Sequence, residues 1–354
     1  MHEARFWVPL EDKAVRCQLC RFHCRIAAGE SGLCGVRTNR DGILYTLVYG
    51  RSIAEAIDPI EKKPFYHVEP GSLSYSIATV GCNFRCLHCQ NHQISQWPRE
   101  RGTVAGEPLS PEQVVNRAVA AGCRSIAYTY TEPTIFYEYA FDCARLARQR
   151  GLRNLFVTNG YTETAVLEEI APWLDGANVD LKAFRADVHA RLTGARLQGV
   201  LETLRDYRRL GIWLEVTTLV IPGINDDAEQ LRGIARFIVD ELGPQVPWHV
   251  TAFYPTWRLL DAPPTPPATL VRARRIGLEA GLHFVYTGNI VDEEGSRTDC
   301  PGCGKVLIER RRMRTTDSCL KDGGCPDCGA PLAGLWRPPA GKPASGPSVP
   351  SSGP

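Results

Sequence analysis

The sequence predicts an α/β protein: an incomplete β/α barrel of the TIM type, with a small Cys-rich module before it and a zinc-ribbon-like module after it. Three observations carry that expectation. Between Leu73 and Asn289, short apolar runs alternate with amphipathic helical stretches. Polar residues gather just beyond the ends of these runs. Twelve of the fourteen cysteines fall in three clusters, one near each end of the chain and one directly after the first apolar run. The resulting boundaries are 1–70 for the first module and lead-in, 71–296 for the barrel, 297–337 for the ribbon and 338–354 for a tail.

Composition narrows the classes. A chain of 354 residues that is 44% apolar can bury a sizeable core. A formal net charge of +2 calls for neither a nucleic acid nor an anionic membrane. The basic run ERRRMR, Glu309 to Arg314, reads as a solvated face rather than a nucleic-acid contact. No charged-then-apolar leader opens the chain, and no apolar run nears the roughly 20 residues that span a bilayer. The expected compartment is therefore the cytoplasm, where clustered cysteines bind metals in preference to forming disulfides. Cys123 and Cys143, outside the clusters, read as small buried hydrophobes.

In the first module, Cys17, Cys20, Cys24 and Cys34 lie within eighteen residues, among glycines at 29, 32 and 35 that let the chain turn around an ion. Zinc suits a closed tetrathiolate; an iron–sulfur cluster also uses four cysteines, and the spacing does not separate them. The barrel strands are expected at 74–80, 125–129, 155–158, 177–181, 213–220, 248–253 and 283–287. Between them, EQVVNRAVAAG, TIFYEYAFDCARLARQRG, ETAVLEEIAPWL and DDAEQLRGIARFIVDELG carry apolar residues at helical spacing, with Gly or Pro close after their ends. Such alternation implies parallel strands joined by right-handed crossovers. At that edge of a β/α barrel each loop can deliver one group to a shared mouth, and groups recur there after strand upon strand.

The ribbon is read from CPGCG and CPDCG, which supply Cys300, Cys303, Cys325 and Cys328 to zinc or a single iron. Cys319 is a spare thiol or an alternative ligand. After Trp336 the chain is Pro, Ala, Gly and Ser, which cannot bury a core, so a disordered tail is expected.

The most informative stretch is GCNFRCLHCQN, with Cys82, Cys86 and Cys89 directly after the first strand. A structural zinc site wants a fourth ligand, and a disulfide framework suits a short secreted domain. Three thiolates around a four-iron cubane would leave one iron free to bind a substrate. C-x3-C-x2-C at a strand exit resembles the radical S-adenosylmethionine (radical SAM) superfamily, in which the position before the third cysteine is usually aromatic; here it is His88.

That resemblance implies a [4Fe–4S] cluster whose open iron is chelated by S-adenosylmethionine. Thr131 and Glu132, in YTYTEP, stand where the superfamily usually carries a GGEP-like stretch that contacts the methionyl amine; both glycines are absent here. For Glu132 the plain alternative is a solvated acid at a helix N-terminus. Asn159 in VTNGY, and Asp180 with Lys182 in VDLKAF, match stretches of glycyl-radical-enzyme activating enzymes that hold the ribose or carboxylate; a surface ion pair is the competing account of Asp180 and Lys182. His249 in WHVTAFYP would contact the adenosyl group or be a satisfied core histidine. The N-terminal CxLCxxxCRIAxGExGxCGVRxN stretch, the cluster loop, VYTGNI and the ending AGLW together resemble the radical SAM component of the AmmeMemoRadiSam system, a relative of pyruvate formate-lyase activating enzymes. The likeness implies reductive cleavage of S-adenosylmethionine to a 5′-deoxyadenosyl radical, a one-electron donor such as flavodoxin or ferredoxin, and the other proteins of that system as partners. A glycyl-radical activase is the nearest rival. A nucleic-acid-binding metal knuckle or a pure electron carrier leaves the aligned strand-end groups unexplained.

Overall fold

The computed structural model describes residues 1–336, so the expected tail at 338–354 lies outside the described residues. The centre is one eight-stranded sheet whose strands follow one another in chain order. They are β1 (Ala54–Pro59), β2 (Leu73–Ala78), β3 (Ser125–Tyr128), β4 (Arg153–Thr158), β5 (Gly176–Asp180), β6 (Trp213–Val220), β7 (Trp248–Ala252) and β8 (Val285–Gly288). Strands β2 to β8 are parallel, and β1 and β8 are not paired with each other, which leaves a partial barrel. The seven parallel strands sit within two residues of the expected runs, the usual uncertainty of a strand end.

The strand β1 is an addition to the expected set. It pairs antiparallel with β2, and its sequence AEAIDP alternates exposure, with Ile57 half exposed, as an edge strand carrying charges does. Expected helical stretches account for α1 (Pro111–Ala120), α2 (Tyr137–Gln149), α3 (Thr164–Ile170) and, further on, Ala228–Phe237; α4 (Ala186–Thr193), α5 (Leu197–Arg209) and Pro267–Glu279 add to them. Helix α1 starts at a capping box in which Ser110 and Gln113 satisfy each other's backbone N–H groups, and it buries Val114, Val115 and Ala118 on one face. Cys123 and Cys143 are buried among apolar neighbours, as expected of small hydrophobes.

The N-terminal residues fold as short antiparallel strands and turns whose apolar side chains, Val15, Ile26 and Val36 among them, join the barrel core. A buried ion pair fastens this module: Arg37 donates to both oxygens of Glu138 on α2 at 2.9 and 3.1 Å. At the junction Gly81 has a φ of +95°, and a Cβ there would lie 2.9 Å from the Cys34 carbonyl and 2.7 Å from Val36. Only glycine lets the loop after β2 come that close to the first module.

The C-terminal strands Thr298–Asp299, Val306–Arg310 and Thr315–Ser318 form a three-stranded antiparallel sheet against the β8 side. Its basic run does not behave as one solvated face. Arg311, Arg312 and Arg314 are exposed, but Arg310 is buried 4.2 Å over the Tyr66 ring and donates to the Tyr66 carbonyl and Thr298. Strand alternation turns this one arginine inward, where its planar head stacks on an aromatic ring.

His67 ties the same corner together. Its Nδ1 donates to the Ala333 carbonyl and its Nε2 accepts from the Tyr286 hydroxyl, both at 2.7 Å. Burial lowers its pKa from 6.5 to about 4. Between those values the unfolded chain binds a proton that the folded chain refuses, so stability falls as pH drops through that window. The wild type should lose about 2–3 kcal/mol more unfolding free energy than His67→Gln between pH 7 and 4.5 in urea titrations. Parallel losses in the two proteins would contradict this role.

Candidate active site

The C-terminal ends of β2 to β8 open into one cavity of about 350 Å³. Cys82, Cys86 and Cys89 line it together with Thr131, Asn159, Asp180, Lys182 and His249. Parallel strands of one sheet explain the convergence, because every crossover returns the chain to the same edge. Cys82 is buried, and its sulfur accepts from the backbone N–H of Phe84 at 3.4 Å, while Asn159 Nδ2 stands 3.8 Å away. Burial pushes the Cys82 thiol well above its usual pKa, with the Glu132 carboxylate adding to it, and pushes Cys86 to about 12. Burial thus works against ionisation of both sulfurs, and the Lys182 ammonium partly offsets it at Cys86.

Glu132 lies behind the wall of the cavity rather than on it. It is fully buried and accepts four hydrogen bonds: from Thr134 N–H at 3.0 Å, the Thr134 hydroxyl at 2.7 Å, the Thr158 hydroxyl at 2.8 Å and Asn159 N–H at 2.8 Å. Burial raises its pKa even against those donors. It caps the 3-10 turn Pro133–Phe136, but it is not solvated, and it braces the end of β4. Asn159, so held, donates to Asn83 Oδ1 at 2.7 Å beside Cys82. Glu132 thus positions the cysteine loop through Asn159.

Asp180 and Lys182 both face the cavity and pair at 2.8 Å. Burial works against the Lys182 ammonium, but Asp180 and the Cys86 thiol outweigh it and hold its pKa above the usual value. His249 lines the cavity and is a satisfied histidine, its Nε2 bonding Glu215 at 2.6 Å. Glu215 is fully buried and also accepts from Tyr66 N–H, His67 N–H and the Trp213 indole. Burial alone would raise its pKa; His249 and these donors bring it below normal.

Comparison with known proteins now decides the family. The model of the radical SAM superfamily matches residues 76–237. An uncharacterized protein of Methanocaldococcus jannaschii is 45% identical over 310 residues, covering 88% of this chain and 92% of its own. The chain belongs to the radical SAM superfamily. It is an enzyme whose chemistry is the generation of radicals from S-adenosylmethionine. A putative glycyl-radical enzyme activating enzyme of the same archaeon is 23% identical over 212 residues, 58% of this chain and 76% of its own. A radical SAM methyltransferase from Sphaerobacter thermophilus shares the fold, at 17% identity and a TM-score of 0.50 over 68% of this chain and 71% of that one.

His88, noted in the sequence at the usually aromatic position, lines the cavity, as do Lys63 and Met313, which the sequence did not single out. His88 is buried at 4% exposure, and neither ring nitrogen has a hydrogen-bond partner among the described residues. Burial and the Lys182 charge hold its pKa down to about 3, so the ring is neutral. Lys63 bonds Asp58 at 2.8 Å and the Tyr130 hydroxyl at 2.9 Å, and burial lowers its pKa. Asp58, between Lys62 and Lys63, is brought down to about 2 although burial opposes it. The signal was present in DPIEKKPF, where charges crowd an apolar segment with two prolines. Met313, at the tip of the ribbon hairpin, also reaches the cavity.

The ribbon sulfurs of Cys300, Cys303, Cys325 and Cys328 all lie within 4.8 Å of one another. Backbone N–H groups, that of Cys328 first, bring Cys325 down to about 7. Cys319 stands outside this group; its thiol meets the Val306 carbonyl at 3.4 Å. No helix among the described residues is long and apolar enough to cross a membrane.

Replacing Glu132 by Leu strands four donors and should lower unfolding free energy by about 3–5 kcal/mol. Asp180→Asn, at the part-open mouth, should change it by less than about 1 kcal/mol. Equal losses in denaturant melts would contradict the distinction between brace and mouth.

Proposed function

We propose that Cys82, Cys86 and Cys89 hold a [4Fe–4S] cluster and that the cavity beside them binds S-adenosylmethionine. The residues fit the pair. Three thiols converge with no fourth cysteine among the cavity-lining residues, and burial works against charge on Cys82 and Cys86 unless a cation joins them. When bound, such a cluster supplies an electron to the sulfonium and releases methionine and a 5′-deoxyadenosyl radical, which takes a hydrogen atom from the substrate. Lys182, oriented by Asp180, offers a fixed positive charge to the cofactor carboxylate. Thr131 and Asn159 present polar edges beside the cysteine loop, and His249 is locked by Glu215 on the opposite wall. Neutral His88 supplies a ring face and two free nitrogens to the adenosyl group.

The carrying observation is the convergence of these groups on one mouth with a three-cysteine loop. A one-electron donor of the flavodoxin or ferredoxin class would reduce the cluster. The four ribbon sulfurs suit zinc: Cys300 and Cys328 are 3.5 Å apart and Cys303 and Cys325 3.6 Å. Zinc–sulfur bonds of about 2.3 Å in a tetrahedron place sulfurs roughly 3.8 Å apart. The order of motifs from the N-terminal cysteines to the AGLW ending favours the AmmeMemoRadiSam radical SAM enzyme. Likeness to the putative glycyl-radical activase favours the second reading, in which the substrate is a backbone glycine of a protein.

Under dithionite, Cys86→Ala should abolish 5′-deoxyadenosine formation; retained turnover would overturn the assignment. His88→Phe keeps a ring and loses its nitrogens, so KM for S-adenosylmethionine should rise about 5–10-fold with kcat little changed. An unchanged KM would remove His88 from the cofactor site.

A further inference from the structure

The chain has two four-cysteine groups, and they are built differently. The ribbon is the one group of three or more His, Cys, Asp or Glu ligands among the described residues whose donor atoms all lie within 4.8 Å of one another. Cys17, Cys20, Cys24 and Cys34 do not gather in that way. They stand around a small enclosed chamber, with apolar neighbours such as Ile26 and Ile135 completing its wall. One zinc ion draws four sulfurs to roughly 3.8 Å spacing. A cubane holds them farther apart, because each sulfur binds a different iron. The sulfurs of Cys82, Cys86 and Cys89 likewise do not all lie within 4.8 Å of one another.

The position of the chamber matters as much as its contents. Asn83, the residue after Cys82, lines the chamber and accepts a hydrogen bond from Asn159 of the catalytic cavity. A Cβ on Gly81 would lie 2.9 Å from the Cys34 carbonyl, so the close approach of the two loops requires glycine there. Arg99 spans the two cysteine loops, donating to the Leu33 carbonyl at 2.6 Å and to the Cys82 carbonyl at 2.7 Å. No carboxylate among the described residues pairs with Arg99, whereas Arg37, which lines the chamber, is neutralised by Glu138. An arginine free of carboxylates between two thiolate groups suits two neighbouring anionic clusters.

We propose that Cys17, Cys20, Cys24 and Cys34 ligate a second, fully coordinated four-iron cluster that passes electrons from a one-electron protein donor to the centre at Cys82, Cys86 and Cys89. One electron from the reduced donor takes the N-terminal cluster from its 2+ to its 1+ core. The same electron moves to the catalytic cluster, returning the first to 2+. From there it enters the sulfonium and breaks the S–C5′ bond. The relay rests on the function proposed above; the presence of the cluster does not.

Two experiments separate these parts. The full chain carrying Cys82→Ala, Cys86→Ala and Cys89→Ala, reconstituted anaerobically with iron and sulfide, should still bind about four irons and four sulfides. Its reduced electron paramagnetic resonance signal should ignore S-adenosylmethionine. A second zinc beside that of the ribbon, with no iron, would overturn the cluster. Cys24→Ser and Cys34→Ser chains should lose about tenfold or more of 5′-deoxyadenosine formation driven by reduced flavodoxin, and less than about twofold of that driven by dithionite. Their cofactor-responsive catalytic signal reports that the barrel is intact. Equal effects with both reductants, or none, would overturn the relay. A wild type without any cofactor-responsive signal would defeat the proposed function, while the iron count of the triple variant would still judge the N-terminal cluster.

Discussion

Three thiols meet at the end of β2, where burial works against charge on Cys82 and Cys86, and the rest of the molecule is arranged around that electrostatic constraint. The sulfurs sit where seven parallel strands end, so every neighbouring loop contributes to the same small volume. Burial raises the cost of each unpaired charge, and the answer on every side is a fixed partner. Lys182 has Asp180, Lys63 has Asp58, and His249 has Glu215. The groups around the mouth are therefore oriented before any ligand arrives.

Much of that orientation is supplied from outside the parallel strands. Glu132 braces Asn159 from behind the wall, and Glu215 binds the backbone N–H groups of Tyr66 and His67 while it aims His249. The ribbon in turn holds Tyr66 through Arg310 and reaches the cavity with Met313. On the opposite flank Gly81 and Arg99 press the first cysteine module against the catalytic loop. The ribbon thus reaches the cavity itself, and the first module packs against the loop that carries Cys82.

The strands and the cysteine loop were legible because their signals are local. Period-two and apolar runs define β2 to β8, and C-x3-C-x2-C is complete within eight residues. Long-range satisfaction was not legible. Glu132 reads as a cofactor contact or a solvated cap, but Tyr130 adopts a left-handed φ of +63° and the next turn buries the carboxylate under Thr134 and Thr158. The lead-in DPIEKKPF showed no role because its partners, Tyr130 and Gly71 among them, are distant in sequence or visible only once folded. Arg310 is hidden in a basic run whose neighbours are solvated. Cysteine spacing along the chain also does not reveal sulfur spacing in space, and that distance is what distinguishes the ribbon from the N-terminal chamber.

The account stands on one iron left without a protein ligand beside Cys82, Cys86 and Cys89. Its most direct test is electron–nuclear double resonance on the reduced, anaerobic wild-type protein with S-adenosylmethionine labelled with 15N at the amine and 17O at the carboxylate. Hyperfine coupling from both labels to the cluster is the predicted result. A cluster that shows no coupling to either label, at saturating cofactor, would contradict it.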